Sequence, residues 1–334
     1  MFQKLRKSKK LVLIAMACAT FAIAGCGSDT TKSTADNGKS VTWSETFDGT
    51  KTDFAVKSSP THAVSMSQAT TEMMLQLGLE DKMAGTAFKE EEIYPPLQAA
   101  YDKVKVLSDK WPSYEVFMSV KPDFATGWPD SFSKRAIPAD KMIAQKVNIW
   151  LPESMLSTKA DLETNFNDMI KLGEIFGVKS KAEEWVAGQR KTLEAIQAKL
   201  KDLPRKRVFI YDSEDGQPFT AFEGYTTNIL KLIGADNVMS GLGVDKTWAK
   251  GSWETVIAQN PDYIIIADYG TSIRNDDDFQ QKIEKIKSNP QLQDITAVKE
   301  GHFIRVKLSE ITPGVRTVDA LKRLAEEIHG VKID

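Results

Sequence analysis

The sequence predicts an α/β protein with two similar lobes, each built on a mostly parallel sheet, and a long helical segment between them. Three observations predict this fold class. One segment pattern occurs in both halves of the chain, strand patterns alternate with helix patterns in each half, and residues 158–202 carry apolar side chains at helical spacing. We therefore expect the chain order to be lobe, bridging helix, lobe.

The repeated segment opens with a serine, an aromatic residue and a glutamate, and Pro-Asp follows nine residues after the serine. The copies begin at Ser113 and Ser252. Each copy predicts a helix capped by the serine, then a buried strand. Glu115 and Glu254 then lie in a first helical turn, where the helix dipole favours an anion. Helix capping is the simpler interpretation of one such glutamate, whereas two copies with one spacing indicate that each lobe presents an exposed carboxylate.

A second pair of segments recurs in the same order. Threonines at 70–71 begin an apolar stretch that ends at Gly78, and threonines at 226–227 begin one that ends at Gly234. Each pattern predicts a capped helix closed by a C-terminal glycine. Because this helix precedes the serine-capped helix in both halves, the sequence predicts two lobes of related topology.

The chain begins with an export signal. Five basic residues within the first ten positions precede an apolar run over 11–24, which is too short to span a membrane. The run ends in Ile23-Ala24-Gly25-Cys26, which resembles a bacterial lipobox with isoleucine in place of the usual leucine. We expect cleavage before Cys26 and lipid on its thiol. An ordinary signal peptide with an incidental cysteine is the alternative.

The composition excludes several classes of protein. The only other cysteine is Cys18, inside the signal, so the mature domain has no disulfide and no cysteine-based metal or catalytic site. Removal of residues 1–25 leaves 39 basic and 46 acidic residues. This acidic balance argues against nucleic acid as a partner and against a polybasic membrane-binding surface.

The mature chain divides into four expected regions. Residues 26–57 are polar and predict a lipid-anchored flexible tether, within which VTWSETFDG has some strand character that could begin the fold. Alternating strands and helices predict an N-terminal lobe at 58–157 and a C-terminal lobe at 203–330. Between them, residues 158–202 predict one or two bridging helices with a break at Gly177, although a surface helix of one lobe is the alternative. Strands are expected near 62–66, 83–87, 122–128 and 147–151, and then near 207–211, 263–266 and 302–306.

Together these features resemble the substrate-binding lipoproteins of iron–siderophore and cobalamin ABC importers, the helical-backbone class III periplasmic binding proteins. The resemblance spans about residues 58–330 and includes the lipobox, the helix around Glu72, both repeated segments and the ending PGVRTVDALKRLAEEIHG. It implies two lobes joined by one long rigid helix, with the ligand in the cleft between them. It also implies that Glu115 and Glu254 dock onto arginines of the permease.

The resemblance sets the functional expectation. It implies a lipid-anchored monomer on the extracytoplasmic face of the membrane, without a cofactor of its own, which passes an iron–siderophore-type chelate to an ABC permease and its ATPase. Cobalamin or haem is the alternative ligand. Relatives that bind cobalamin carry cleft aromatics at the relative positions of Trp128 and Trp248.

Loop ends near the predicted cleft carry the candidate ligand-binding residues. Large aromatic side chains suit planar or catecholate ligands, with core packing as the alternative for any one of them. Arginine can pair with an anionic chelate through its bidentate fork, with surface ion pairing as the alternative. The candidates are Phe88, Trp111, Trp128, Tyr225, Trp248, Tyr269, Arg274 and Arg316.

Two rival functions have weaker support. A bare zinc or manganese site takes several histidines with carboxylates, and the sequence offers only His62, His302 and His329, which we expect to be structural. An enzyme is disfavoured because the chain has no G-x-S-x-G, H-E-x-x-H or P-loop pattern.

Overall fold

The computed structural model describes residues 40–269 and 278–333, so that Cys26 and Arg274 lie outside the described ranges. Its parallel sheets and long helix form a mixed α/β fold, which confirms the predicted fold class. Within these ranges, no helix combines the length and the apolar character that crossing a membrane requires.

The first described element is a β-hairpin that packs on the N-terminal lobe. Trp43 stacks on Phe54 and donates from its Nε1 to the carbonyl of Ile149 at 2.7 Å. The Glu45 carboxylate accepts from the N–H of Leu151 at 3.0 Å. The expected tether is therefore wrong for the residues of the hairpin, whose inward side chains are buried or half-buried. The hairpin pairs β1 (Val41–Phe47) antiparallel with β2 (Thr50–Val56).

The N-terminal lobe contains a five-stranded, fully parallel sheet. Its strands are β3 (Ala63–Ser65), β4 (Met83–Ala87), β5 (Val106–Ser108), β6 (Phe124–Thr126) and β7 (Asn148–Trp150). They are arranged in the order β5-β4-β3-β6-β7. Its helices are α1 (Gln68–Gln76), α2 (Gln98–Tyr101), α3 (Tyr114–Ser119) and α4 (Ala139–Ala144). Ser67 caps α1, so the two threonines at 70–71 lie in its first turn rather than at its start.

The bridging segment folds as two helices rather than one. They are α5 (Leu162–Ile175), which begins with a capping box between Asp161 and Thr164, and α6 (Lys179–Leu200). Gly177 lies between them with a φ of +70°, a conformation that glycine adopts without strain. With 22 residues, α6 is about 33 Å long and leads into the first strand of the C-terminal lobe.

The C-terminal lobe contains a four-stranded parallel sheet and a small antiparallel sheet. Its strands are β8 (Lys206–Tyr211), β9 (Ser213–Asp215), β10 (Gln217–Ala221), β11 (Ala235–Asn237), β12 (Trp248–Lys250), β13 (Tyr263–Asp268) and β14 (Phe303–Lys307). Its described helices are α7 (Tyr225–Lys231), α8 (Trp253–Gln259), α9 (Asp278–Ser288), α10 (Thr296–Glu300), α11 (Leu308–Ile311) and α12 (Thr317–His329). The sheet orders are β11-β8-β13-β14 and β12-β10-β9.

The repeated segments have equivalent structures in the two lobes. Ser113 caps α3 by accepting from the backbone N–H of Val116, and Ser252 caps α8 in the same way, which confirms both predicted caps. The aspartate of each Pro-Asp then holds the start of the neighbouring strand. Asp123 accepts from the N–H of His62 before β3, and Asp262 accepts from the N–H of Arg207 in β8.

One apolar core runs through both lobes and the bridging helices. It contains Met73 and Phe124 from the N-terminal lobe, Phe166 from α5, and Ile210 and Leu321 from the C-terminal lobe, each with no exposed surface. The lobes are therefore parts of one packed unit, against which α5 and the apolar face of α6 also pack.

A buried ion pair also joins the lobes. Arg316, just before α12, donates from Nε to Glu72 at 2.8 Å and from Nη1 to Glu91 at 3.0 Å. The three residues are 4%, 2% and 5% exposed, respectively. Arg316 was predicted to bind ligand, and that prediction is wrong because its guanidinium is enclosed by these carboxylates and does not line a cavity between the lobes.

Arg316→Ala is expected to lower the free energy of unfolding by about 3–5 kcal/mol, because Glu72 and Glu91 would stay buried without a counter-charge. Arg205→Ala is the control, since Arg205 pairs with Asp236 at the surface and should contribute about 0–1 kcal/mol. Chemical denaturation followed by circular dichroism measures both losses. Small losses of equal size would contradict a structural role for Arg316.

Candidate ligand-binding cleft

A cavity of about 400 Å³ lies between the lobes, at the ends of their parallel strands. Phe88 directly follows β4, Trp128 comes two residues after β6, Asp212 directly follows β8 and Tyr269 directly follows β13. The carboxyl ends of strands in open parallel sheets form the crevice in which ligands bind. The volume falls within the range of small-molecule sites, about 300–1,000 Å³. We call this cavity the cleft.

The N-terminal lobe supplies one aromatic wall of the cleft. Phe88 and Trp111 stack with ring centroids 4.6 Å apart and planes 12° apart. Trp111 donates from Nε1 to the carbonyl of Met66 at 3.1 Å, and Trp128 donates from Nε1 to the Glu90 carboxylate at 3.2 Å. These contacts fix the orientation of both indoles before any ligand is present.

Phe88 adopts an unusual backbone conformation. Its φ is +59°, in the left-handed region that bulky side chains rarely occupy. Such backbone strain concentrates at ligand-binding sites, where the surrounding structure maintains it. In this structure the ring of Phe88 stacks on Trp111, and both rings line the cleft.

The C-terminal lobe supplies the opposite wall. Trp248 on β12 stacks with Phe219 on β10, with centroids 6.3 Å apart and planes 16° apart. The Tyr269 hydroxyl donates to the Asp212 carboxylate at 2.5 Å. The ammonium of Lys282 lies 4.9 Å from the centroid of the Tyr269 ring, so a cation–π contact holds this ring as well.

The aromatic candidates therefore converge, although they are not equally exposed. All six of them line the cleft, but Tyr225 is only 3% exposed and its hydroxyl bonds to Thr317 at 2.8 Å. Tyr225 therefore offers the cleft little free surface, and its hydroxyl already has a partner. Of the two arginine candidates, Arg316 is in the buried ion pair and Arg274 lies outside the described residues.

The sequence analysis did not identify the charged residues that line the cleft. Glu90, Asp130 and Asp212 line the cleft together with Arg135, which bonds to Asp130 at 2.5 Å. The position of Asp212 directly after β8 was a usable signal, because strand ends form such clefts, and Glu90 lies only three residues after β4. Asp130 lies in a short 3-10 helix over Pro129–Phe132 and Arg135 in the turn that follows it, and neither position carries such a pattern. Other lining residues are Ser154, Met155, Thr226, Thr247, Leu308, Thr312 and Pro313.

The environment of Glu90 changes its protonation. Burial raises the pKa of its carboxyl from 4.5 to about 7, because a desolvated carboxylate is disfavoured. The hydrogen bond from Trp128 partly offsets this rise in pKa, whereas the nearby charges of Glu91 and Glu72 add to it. Glu90 therefore changes its charge close to neutral pH.

The two candidate docking glutamates have matching surroundings outside the cleft. Glu115 and Glu254 are exposed in the first turns of α3 and α8, one in each lobe. The pKa of each carboxyl lies below its usual value because it accepts from its own backbone N–H and from the capping serine. Both side chains are thus charged and folded back onto their helix starts.

The histidines have local partners. Rings of His302 and His329 bond to the carbonyls of Asp262 and Ile233, and His62 bonds to the neighbouring Thr61 hydroxyl. In residues 40–269 and 278–333, no group of three or more His, Cys, Asp or Glu residues is placed to hold a metal ion.

Comparison with known proteins gives the family. A family model described as periplasmic binding protein matches residues 64–308, which is most of the chain. The chain belongs to the periplasmic binding protein family. A crystal structure of a periplasmic binding protein from Veillonella parvula is 95% identical, with a TM-score of 0.87, and covers 89% of this chain and 100% of that chain.

Named relatives of this periplasmic binding protein include a component of an ABC transporter and binding proteins for small molecules. The substrate-binding lipoprotein YvrC of Bacillus subtilis, itself uncharacterized, is 25% identical over 97% of this chain and 98% of its own. A vitamin B12-binding protein of Vibrio vulnificus is 23% identical over 80% of this chain and 90% of its own. The petrobactin-binding protein YclQ of B. subtilis is 24% identical over 89% of this chain and 90% of its own.

Structures of lower sequence identity share the fold. A structure of an ABC-type Fe3+-hydroxamate transport system from Saccharomonospora viridis is 19% identical, with a TM-score of 0.68, and covers 85% of this chain and 98% of that chain. The protein is thus an extracytoplasmic substrate-binding protein of an ABC importer, a family that acts with a permease and an ATPase. Its relatives are binding proteins rather than enzymes, which confirms that prediction.

Glu90→Gln is expected to stabilise the protein more at about pH 8 than at about pH 4.5. An acid whose pKa rises on folding, here from 4.5 to about 7, binds more protons in the folded state, so stability is lost as the pH rises through this interval. Glutamine cannot ionise and avoids this loss. Melting temperatures of both proteins test this, with Glu184→Gln on the exposed face of α6 as control. A difference that stays constant with pH would contradict the raised pKa.

Proposed function

We propose that this protein captures a metal chelate of the iron–siderophore type in the cleft and delivers it to an ABC permease. The supporting observation is that aromatic side chains from both lobes face one cavity at the carboxyl ends of two parallel sheets. Aromatic side chains offer a large contact area at low entropic cost, which suits the rigid, largely apolar exterior of a chelate.

The nature of the relatives supports this ligand class. One is named for petrobactin, and a more distant structure belongs to an Fe3+-hydroxamate transport system. Cobalamin is the second candidate, because a relative of similar identity is named for vitamin B12. Haem is less favoured, since its iron takes protein ligands such as tyrosine. The hydroxyls of Tyr225 and Tyr269 are already bonded to Thr317 and Asp212.

Docking to the permease is the second part of the proposal. Glu115 and Glu254 fit it because each is an exposed carboxylate at an equivalent helix start, one in each lobe. Complementary charges at such a surface guide encounter and fix the register of the two partners. The arginines expected on the permease would supply the opposite charge.

Anchoring by lipid is the third part. It rests on the sequence alone, through the basic start, the apolar run and the lipobox-like Ile23-Ala24-Gly25-Cys26. Each buried methylene of an acyl chain contributes about 0.8 kcal/mol, so several chains would hold the receptor at the membrane.

Trp128→Ala and Trp248→Ala are each expected to weaken chelate binding roughly tenfold or more, because each removes a large aromatic face. Calorimetric titration with ferric siderophores, cobalamin and haem measures the effect. Trp185→Ala is the matched control, since Trp185 is half-buried on α6 against Phe166 and does not line the cleft.

Two outcomes of this titration would contradict the proposal. Unchanged affinity with a large fall in melting temperature would assign Trp128 and Trp248 to packing. Failure of the wild-type protein to bind any ligand of the panel would remove the metal chelate as its cargo.

Replacing both Glu115 and Glu254 with alanine is expected to abolish most transport while leaving chelate affinity unchanged, because neither side chain lines the cleft. Stability should fall by no more than about 0.3–1 kcal/mol for each helix start. Uptake by reconstituted vesicles is the measurement. The control replaces Glu184 and Glu284, exposed acids on α6 and α9, and so removes the same charge. Normal uptake by the variant that lacks Glu115 and Glu254 would contradict the docking role and leave both glutamates with a role in stabilising their helix starts.

Cys26→Ala is expected to prevent lipid attachment, because the acyl chains would be carried by its thiol. Metabolic labelling with a fatty-acid probe measures this in cells, and Cys18→Ala is the control, since Cys18 lies inside the signal. Equal labelling of the Cys26 variant and the wild-type protein would exclude a lipid anchor at this position.

A further inference from the structure

Among the described residues, the cleft lining carries more acidic than basic side chains. Glu90, Asp130 and Asp212 are acidic, and Arg135 is the cation among its described lining residues. The Arg135 guanidinium bonds to Asp130 at 2.5 Å, so this pair adds little net charge. Two carboxyl groups remain, Glu90 from the N-terminal lobe and Asp212 from the C-terminal lobe.

These two carboxyl groups are held in place. Asp212 is 5% exposed and accepts from the hydroxyls of Tyr269 and Ser213 at 2.5 and 2.8 Å. Glu90 accepts from Nε1 of Trp128 at 3.2 Å. Because these hydrogen bonds fix both groups in a partly desolvated site, a charge brought by a ligand would interact with them more strongly than it would in water.

Like the two carboxyl groups, the aromatic walls of the cleft favour a positive charge on the ligand over a negative one. The face of an aromatic ring is the negative part of its quadrupole, so it attracts cations and disfavours anions. Stacked pairs line both walls, Phe88 with Trp111 and Phe219 with Trp248. The walls and the carboxyl groups therefore act in the same direction on a charged ligand.

We propose that the cleft selects metal chelates that are cationic or neutral and rejects anionic ones. This inference rests on the proposed function, because it assigns the charge class of the same ligand. An anionic chelate would place its charge beside Asp212 and Glu90, while the lining guanidinium of Arg135 is already bound to Asp130. A neutral chelate carries no net charge and meets no such repulsion.

The test varies charge on one ligand scaffold. Ferrioxamine B is a ferric trihydroxamate with a cationic amine, its N-acetyl derivative is neutral and its N-succinyl derivative is anionic. Calorimetric titration at low salt should give the tightest binding for the cationic form and affinity at least about tenfold weaker for the anionic form. Cyanocobalamin, which is neutral, and ferric enterobactin, which is strongly anionic, extend the comparison to other scaffolds.

A double variant connects the selection to these residues. Glu90→Gln with Asp212→Asn keeps the size of both side chains and one acceptor oxygen in each, although Asp212 uses both of its oxygens, for Tyr269 and Ser213. The double variant should shrink the ratio of cationic to anionic affinity. The control, Glu184→Gln with Glu284→Gln, removes two exposed acids and should leave that ratio unchanged. Melting curves check that each variant is folded.

The outcomes separate this inference from the proposed function. Binding of the cationic or neutral probes in preference to the anionic ones supports the inference. Anionic probes that bind as tightly, or that alone bind, would overturn it and leave the receptor function standing. If no chelate of the panel bound, the proposed function would fail and this inference with it.

Discussion

The buried guanidinium of Arg316 is the contact on which the arrangement of the lobes depends. A charge without exposure to water is tolerated only when it is paired and hydrogen-bonded, and the carboxylates of Glu72 and Glu91 meet this requirement from the opposite lobe. The Ser309 hydroxyl also bonds to Glu91, and Lys307 bonds to Glu92 at 2.7 Å. Separation of the lobes would leave these charges without partners, so the network fixes the width of the cleft beside it.

The cleft is built from side chains whose orientations are already set. Trp111 is held by the Met66 carbonyl, Trp128 by Glu90 and Tyr269 by Asp212. A receptor organised in this way spends little entropy in ordering its own side chains when ligand arrives. The same hydrogen bonds place carboxyl groups in the cleft, so the groups that make it rigid also determine its charge.

The sequence predicted local features well and distant partners poorly. Capping by Ser113 and Ser252 depends on residues three positions away, so a short pattern was enough. The strand-end aromatics followed from the alternation of strands and helices. Arg316 was misassigned because its partner Glu72 lies 244 residues away in the chain, and charge alone does not reveal burial. Strand character was recognised in VTWSETFDG, but the packing of the hairpin on the N-terminal lobe was not, since its polar composition resembles a tether and the surface that it covers, around Ile149, belongs to another segment.

The continuous core has a consequence for unfolding. The largest apolar cluster of the described residues takes side chains from both lobes and from α5 and α6, and each lobe adds a smaller cluster of its own, so that loss of packing in one lobe would disturb the packing of the other. Heat or denaturant should therefore disrupt the domain in a single cooperative transition. A ligand held between the lobes then raises the melting temperature of the entire domain, because binding to the native state shifts this one equilibrium.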